Sequence, residues 1–238
     1  MSDWKARRFW KLATVEPADA GFAVHLDGRP VRTPAKSLLA VPTKALALAI
    51  AAEWDAQAKI VDPRTMPITR AANSAIDKVV PKQADVTQML AEYGDADATC
   101  YRAHTPEGLV QRQTAAWDPL LDWADEVFQA RLIPVVGVIY QPQNPKALQR
   151  LSEPVQQMTP FQLAGFHDLV TLSGSLIIGL ATARGLLPPE ALWQRSRIDE
   201  LWQQDQWGLD DEAAAMAEGK RLSFMQGLEF YRLSAENS

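Results

Sequence analysis

The sequence predicts an α+β protein, mainly α, with a small β-rich N-terminal domain followed by a larger multihelical C-terminal domain. Three observations predict it. The chain up to Pro42 holds short β-branched and aromatic runs, broken by Pro30, Pro34 and Pro42. A proline lacks the ladder donor and so marks strand edges and ends. Asp27-Gly28 stands between two of these runs, and glycine accepts the positive φ of a tight hairpin turn. From Thr43 onward, apolar residues recur at three- and four-residue spacing, the period of a helix face.

The elements follow in order. Phe9–Val15 reads as a strand, Phe22–Leu26 and Pro30–Thr33 as a hairpin, and Leu38–Val41 as a further strand. Thr43 is placed to cap a helix that carries Leu46, Ile50 and Trp54 on one face. The irregular stretch Asp62–Pro67 is the expected boundary, giving domains 1–66 and 67–238. Ile68, Ala72, Ala75, Ile76 and Val79 form a helical stripe that Pro81 interrupts, and Val86, Met89, Leu90 and Tyr93 continue it to Gly94. A long stripe follows over Glu107–Leu132, in which Pro119 should restart or kink the helix. Pro134–Tyr140 is ambiguous between extended and irregular structure. A short helix from Lys146 should stop before Pro154. Thr159-Pro160 opens a long apolar helix running through Gly174 and Gly179 to Gly185. Pro188 begins a helix ending at Trp207-Gly208, and Asp210 begins the last one.

Composition narrows the function. The chain has 238 residues, 47% hydrophobic and 22% charged, with a net charge of −5. That balance argues against a nucleic-acid binder, which needs a basic face. The one basic cluster, Lys5, Arg7, Arg8 and Lys11, reads as solvated cations near the chain start. A single cysteine, Cys100, cannot form an internal disulfide, which fits a reducing compartment. The longest uncharged stretch, Leu169–Ala183, falls short of the roughly 20 residues of a membrane span and reads as a core helix.

No nucleotide cradle or nucleophile elbow occurs. His25, His104 and His167 lack metal-ligand spacing, so no metal or cofactor is expected. Asp95 and Asp97, in Gly94-Asp-Ala-Asp-Ala98, lack the further ligands of a calcium loop. With His104 they remain the best candidate for an enzyme or small-molecule site at the domain junction.

The segment Ser196–Gly208 is the most distinctive surface feature. On a helical wheel Ile198, Leu201 and Trp202 share the core side. Glu200 lies roughly 200° from Ile198 and points outward. Arg197 stands at i, i+3 to pair with it. The outward side reads either as a solvated face or as an anchor for a partner's Arg or Lys. Trp207, at the helix end, has the character of an interface residue.

Ordered fragments over about residues 8–233 give the chain a family resemblance: Arg8-Phe-Trp-Lys11, Leu26-Asp-Gly-Arg-Pro30 with Thr33-Pro34, Glu53-Trp-Asp-Ala-Gln57, Met66-Pro67, Gly94-Asp-Ala-Asp97 with Cys100-Tyr-Arg102, Trp117-Asp-Pro-Leu-Leu-Asp122, Gly174-Ser175-Leu176, and Asp199-Glu-Leu-Trp-Gln203 with Trp207-Gly208. On these the chain resembles the ATP-twelve family, assembly chaperones for the alpha subunit of the ATP synthase catalytic head. The resemblance implies a non-enzymatic, monomeric protein that covers the free alpha subunit until the beta subunit replaces it. It implies partner-binding roles for Asp199 and Glu200, with Glu200 preferred for its outward direction, and places Gln203 and Trp207 close to that surface. Eukaryotic members carry a mitochondrial presequence. Its absence here implies a bacterial cytoplasmic member, or a trimmed form from the mitochondrial matrix.

Overall fold

Strands β1 (Ala13–Ala18) and β2 (Gly21–Leu26) pair antiparallel in the register Ala13 to Leu26 through Ala18 to Gly21. A computed structural model describes them within residues 7–235; Lys5 of the basic cluster lies outside. The Asp27-Gly28 turn has φ of 48° and 78°, as the hairpin reading requires, and leads into β3 (Arg29–Pro30). β4 (Ala40–Val41) pairs with the start of β2. β1 begins later than Phe9, because Arg8 and the residues after it serve another role. The Arg8 guanidinium donates to the carbonyls of Asp55 at 2.7 Å and Gln57 at 2.6 Å. It thereby closes the C-terminus of α1 (Lys44–Asp55), where helix carbonyls lack partners. Thr43 caps the other end, its hydroxyl accepting from Leu46 N at 3.1 Å.

The chain divides into two compact units. Of the described residues, the first takes those up to Gln83, together with Thr159–Gly165 and those from Glu229 to residue 235. This differs from the expected boundary at 66–67. The reason is burial. Helix α2 (Pro67–Ser74) sinks Ile68 and Ala72 into the same core as Val24, Leu26, Leu46 and Ile50, and Phe230 joins them from the far end of the sequence. Glu53 ties the pieces by accepting from the first amides of α2, Ile68 N and Thr69 N, both at 2.7 Å. Pro81 breaks the regular ladder as expected: a π-helical segment Ala75–Val79 and a 3-10 turn Val80–Lys82 precede α3 (Gln83–Glu92).

The second unit is helical apart from a small parallel pair, β5 (Tyr101–Arg102) and β6 (Val135–Val136). Its long helix α4 (Glu107–Phe128) runs through Pro119 without a break and buries Gln113, Trp117, Leu120, Leu121 and Ala124. α5 (Pro145–Gln156) likewise continues past Pro154, contrary to expectation. Each proline removes one N–H donor; packing of Leu120 and Leu121 around the first, and of Leu151 and Val155 around the second, holds the helix. The long apolar helix is two. α6 (Pro160–Ser173) ends at Gly174, whose φ of 68° suits a helix C-terminus. Ser175 then caps α7 (Leu176–Ala183) through Ile178 N at 3.0 Å. Gly179 does allow close helix approach, since a Cβ there would lie 2.6 Å from Val170.

The helix expected from Pro188 to Trp207 also divides, into α8 (Pro189–Arg195) and α9 (Ile198–Trp207). Two bonds explain the break. The Ser196 hydroxyl donates back to Trp193 O at 2.7 Å. The carbonyl of Arg195, which an unbroken helix would give to Asp199 N, accepts from the Trp117 indole at 2.7 Å. The last helix, α10 (Asp211–Ala235), begins next to its expected start, and Asp210 caps it by accepting from Glu212 N and Ala213 N. The architecture is α+β, mainly α, with the small sheet confined to the N-terminal part apart from the β5–β6 pair.

Candidate functional site

A groove of about 510 Å³ opens in the helical unit, between the segment after β5, the start of α4, the turn after β6 and α9. Its walls are largely apolar: Tyr101, Pro106, Leu109, Val138, Trp202 and Trp207 line it. Trp202 can press close against the start of α4 because residue 108 is glycine. A Cβ on Gly108 would stand 2.7 Å from the Trp202 ring. The guanidinium of Arg112 covers the Trp202 ring at 4.9 Å and pairs with Asp205 at 2.6 Å. The wheel's core stripe is therefore only half-buried. Ile198, Leu201 and Trp202 are intermediate in exposure, and α9 buries no residue fully, because Trp202 gives one side to the groove.

The four partner-binding candidates take different positions. Asp199, Gln203 and Trp207 line the groove; Glu200 does not. The Asp199 carboxylate is held by Gln113, whose side-chain amide donates to Oδ1 at 2.7 Å while its carbonyl oxygen accepts from Ala103 N at 2.8 Å. Gln113 is buried, so this bridge is fixed from inside the unit. Glu200 faces outward, as expected, with its side chain 48% exposed, and it pairs with Arg197 at 3.1 Å. Arg197 in turn lies over the Trp193 ring at 5.8 Å. Asp199 and Glu200 both stand in the first turn of α9, where the helix dipole favours anions. Trp207 is 79% exposed and Val138 91%. Two indole-sized or branched apolar groups in water at one groove mark a contact surface.

The one cation in the groove wall is accounted for. Arg102 is buried, pairs with Asp118 at 2.9 Å and covers the Trp117 ring at 5.2 Å. The turn after β6, ambiguous in sequence, is extended only at Val135–Val136 and is pinned at both ends. Gly137 N donates to Arg102 O at 2.8 Å, and the Tyr140 hydroxyl donates to Asp95 at 2.6 Å.

The alternative trio does not converge. Asp95 accepts from Tyr140 and from Gln143 N at 2.8 Å, and does not line the groove that His104 lines. Asp97 is fully buried. One oxygen accepts from Thr99 N and Thr99 Oγ1, the other from Ile177 N at 3.0 Å in the first turn of α7. Burial pushes its carboxyl upward, and donations from Ile177, Ser175 and Thr99 oppose that shift. Cys100 is buried too, and burial pushes its thiol up to about 12, which makes it an inert core residue. All these groups belong to the helical unit. Among the described residues no cluster of His, Cys, Asp or Glu is suited to a metal ion. No helix there is long and apolar enough to cross a membrane.

Sequence reasoning missed Gln113, Gly108 and Arg112. Their roles depend on contacts across about 90 residues of chain, which no local pattern carries.

The chain is similar to known proteins over most of its length. The family model described as ATP12 chaperone protein matches residues 7–125. "Protein atp12, mitochondrial" of Schizosaccharomyces pombe is 26% identical over 219 residues, covering 87% of this chain and 75% of that protein. The crystal structure of Atp12 from Paracoccus denitrificans superposes with a TM-score of 0.94 at 47% identity, covering 98% of this chain and 100% of that one. The Atu1473 protein of Agrobacterium tumefaciens gives 0.91 at 40% identity, covering 97% and 86%. Matching fragments in the expected order, a matching family model and a shared fold at this identity lead to one conclusion: the chain belongs to the ATP12 chaperone family.

Proposed function

We propose that this protein is an assembly chaperone for the catalytic head of an F-type ATP synthase. It binds the free alpha subunit and shields that subunit's interface until the beta subunit takes its place. The observation that carries the reading is the groove edged by exposed Trp207 and Val138, with the fixed carboxylate of Asp199 inside it and Glu200 beside it. An obligate subunit interface resembles a core cut in half, so an unpaired subunit exposes an apolar surface that aggregates. A groove with apolar walls covers such a surface, while the acidic pair orients a cation on the client.

The work is binding, with no bond made or broken in the client. The chaperone must hold the alpha subunit more weakly than the beta subunit does, or assembly would stall. It acts as a monomer in a reducing compartment, in keeping with a single buried cysteine. The test is gel filtration of the protein with isolated alpha subunit, followed by addition of beta subunit. A one-to-one complex that gives way to alpha–beta assemblies, with the chaperone released, is the expected result. No complex, or a complex that persists beside excess beta subunit, would refute it.

A further inference from the structure

We infer that the first turns of α10, with the turn that precedes them, form a second docking surface, which takes a client face whose apolar patch is rimmed by Lys and Arg. The inference rests on the alpha subunit being the client. It concerns a surface beyond the groove and its acidic pair.

α10 starts at Asp211, yet its first buried residue is Phe224. At 1.5 Å per residue this leaves roughly 20 Å of rod with no core against it. Among residues 211–220 only Ala214 and Ala217 are even half-buried. A Cβ at Gly219 would meet nothing within 4 Å. Large apolar side chains nevertheless stand on this segment and its lead-in: Leu209 is 67% exposed and Met216 61%. They continue in sequence from Trp207 at the groove edge. The helix does not need packing to persist. Asp210 caps it, Asp211 and Glu212 suit its N-terminal dipole, and Ala213-Ala214-Ala215-Met216-Ala217 are strong helix formers. A capped rod that extends from the packed part of α10 and carries Leu and Met into water is poised to receive a partner.

Charge identifies the partner's chemistry. Residues 199–219 contain seven acidic side chains and no Lys, Arg or His. Glu200, Asp205 and Glu218 each meet an arginine. Asp210, Asp211 and Glu212, which flank Leu209 and Met216 in sequence, have no ion-pair partner among the described residues, and the next cations are Lys220 and Arg221. A second copy of this chain would bring the same acids face to face, which like-charge repulsion disfavours. A basic-rimmed apolar face would neutralise them.

The test measures the affinity of isolated alpha subunit for the wild type and for two paired variants at low and high salt. The pair Leu209→Ser with Met216→Gln removes the apolar contacts and keeps a good helix former at 216. The pair Asp211→Asn with Glu212→Gln removes charge alone. Each pair is expected to weaken binding about tenfold, with circular dichroism and Tm near wild type. The second pair is also expected to reduce the salt dependence. Wild-type affinity in both pairs, while Trp207→Ala still weakens binding, would overturn this inference and leave the groove reading standing. No binding by the wild type would overturn both. A dimer of the chaperone that Met216→Gln disperses would also overturn it, because the surface would then be a self-interface.

Discussion

At Asp27 the backbone and the charge can be separated experimentally. Its φ of 48° is one that asparagine tolerates nearly as well. Its carboxylate accepts from Lys11 N and Leu12 N at 3.0 Å each. The Leu12 and Lys11 amides, with help from the Lys11 charge, hold its carboxyl below the usual range. A depressed folded value means a contribution present above the unfolded value and lost as pH falls through the folded one. Asp27→Asn is therefore expected to lower Tm at neutral pH, with the difference closing as pH drops below about 4. A constant difference across that range would show the carboxylate charge to be idle. Glu200 poses the opposite case. The glutamate end of its pair with Arg197 is half exposed, though Arg197 itself is mostly buried, and solvent screening there keeps the pair near the roughly 0–1 kcal/mol of surface pairs. Glu200→Lys should leave Tm within about 4 °C of wild type and weaken alpha-subunit binding about tenfold or more. Unfolding of that variant would make the residue structural. The direction of Glu200 was legible from the helical wheel. The position of Asp199 in the groove was not, because it depends on Gln113 reaching across from α4.

Between elements, side chains that serve two pieces at once decide the geometry. The run Glu53-Trp-Asp-Ala-Gln57, which carries part of the family resemblance, is joinery. Glu53 caps α2, Trp54 stacks edge-on with Trp10 at 5.2 Å, Asp55 accepts from Ala13 N at 2.9 Å, and Gln57 donates to Thr65 and accepts from Asp62 N. Glu53→Ala would strand Ile68 N, Thr69 N and the Thr69 hydroxyl. The expected cost is about 1–3 kcal/mol, seen as a Tm drop of about 4 °C or more. An unchanged Tm would mean water replaces the carboxylate freely. Helix existence was legible from spacing, and so were the cap at Thr43, the start of the last helix near Asp210 and the stops at Gly185 and Gly208. The breaks at Gly174 and Ser196 were not. An isolated glycine or serine fits inside a helix pattern, and what ends α8 is a distant indole taking the Arg195 carbonyl. Pro119 and Pro154 misled in the other direction, because local propensity was overridden by burial of the neighbouring Leu120, Leu121, Leu151 and Val155.

For the whole molecule, the ordered fragments pointed to the family, and the fold comparison agrees. The division into units was less legible. Residues such as Phe230 return to the N-terminal core from nearly the opposite end of the chain, and sequence adjacency hides such a return. The proposed function rests on the helical unit's exposed apolar groove and its acids. In that proposal these surfaces cover a client that would otherwise aggregate. Light scattering of isolated alpha subunit, warmed alone and with equimolar wild type, Trp207→Ala or Glu200→Lys protein, tests this most directly. The wild type is expected to suppress scattering without any nucleotide hydrolysis, and both variants, folded by circular dichroism, to suppress it less. Scattering unchanged by equimolar wild type, or suppressed equally by all three, would contradict it.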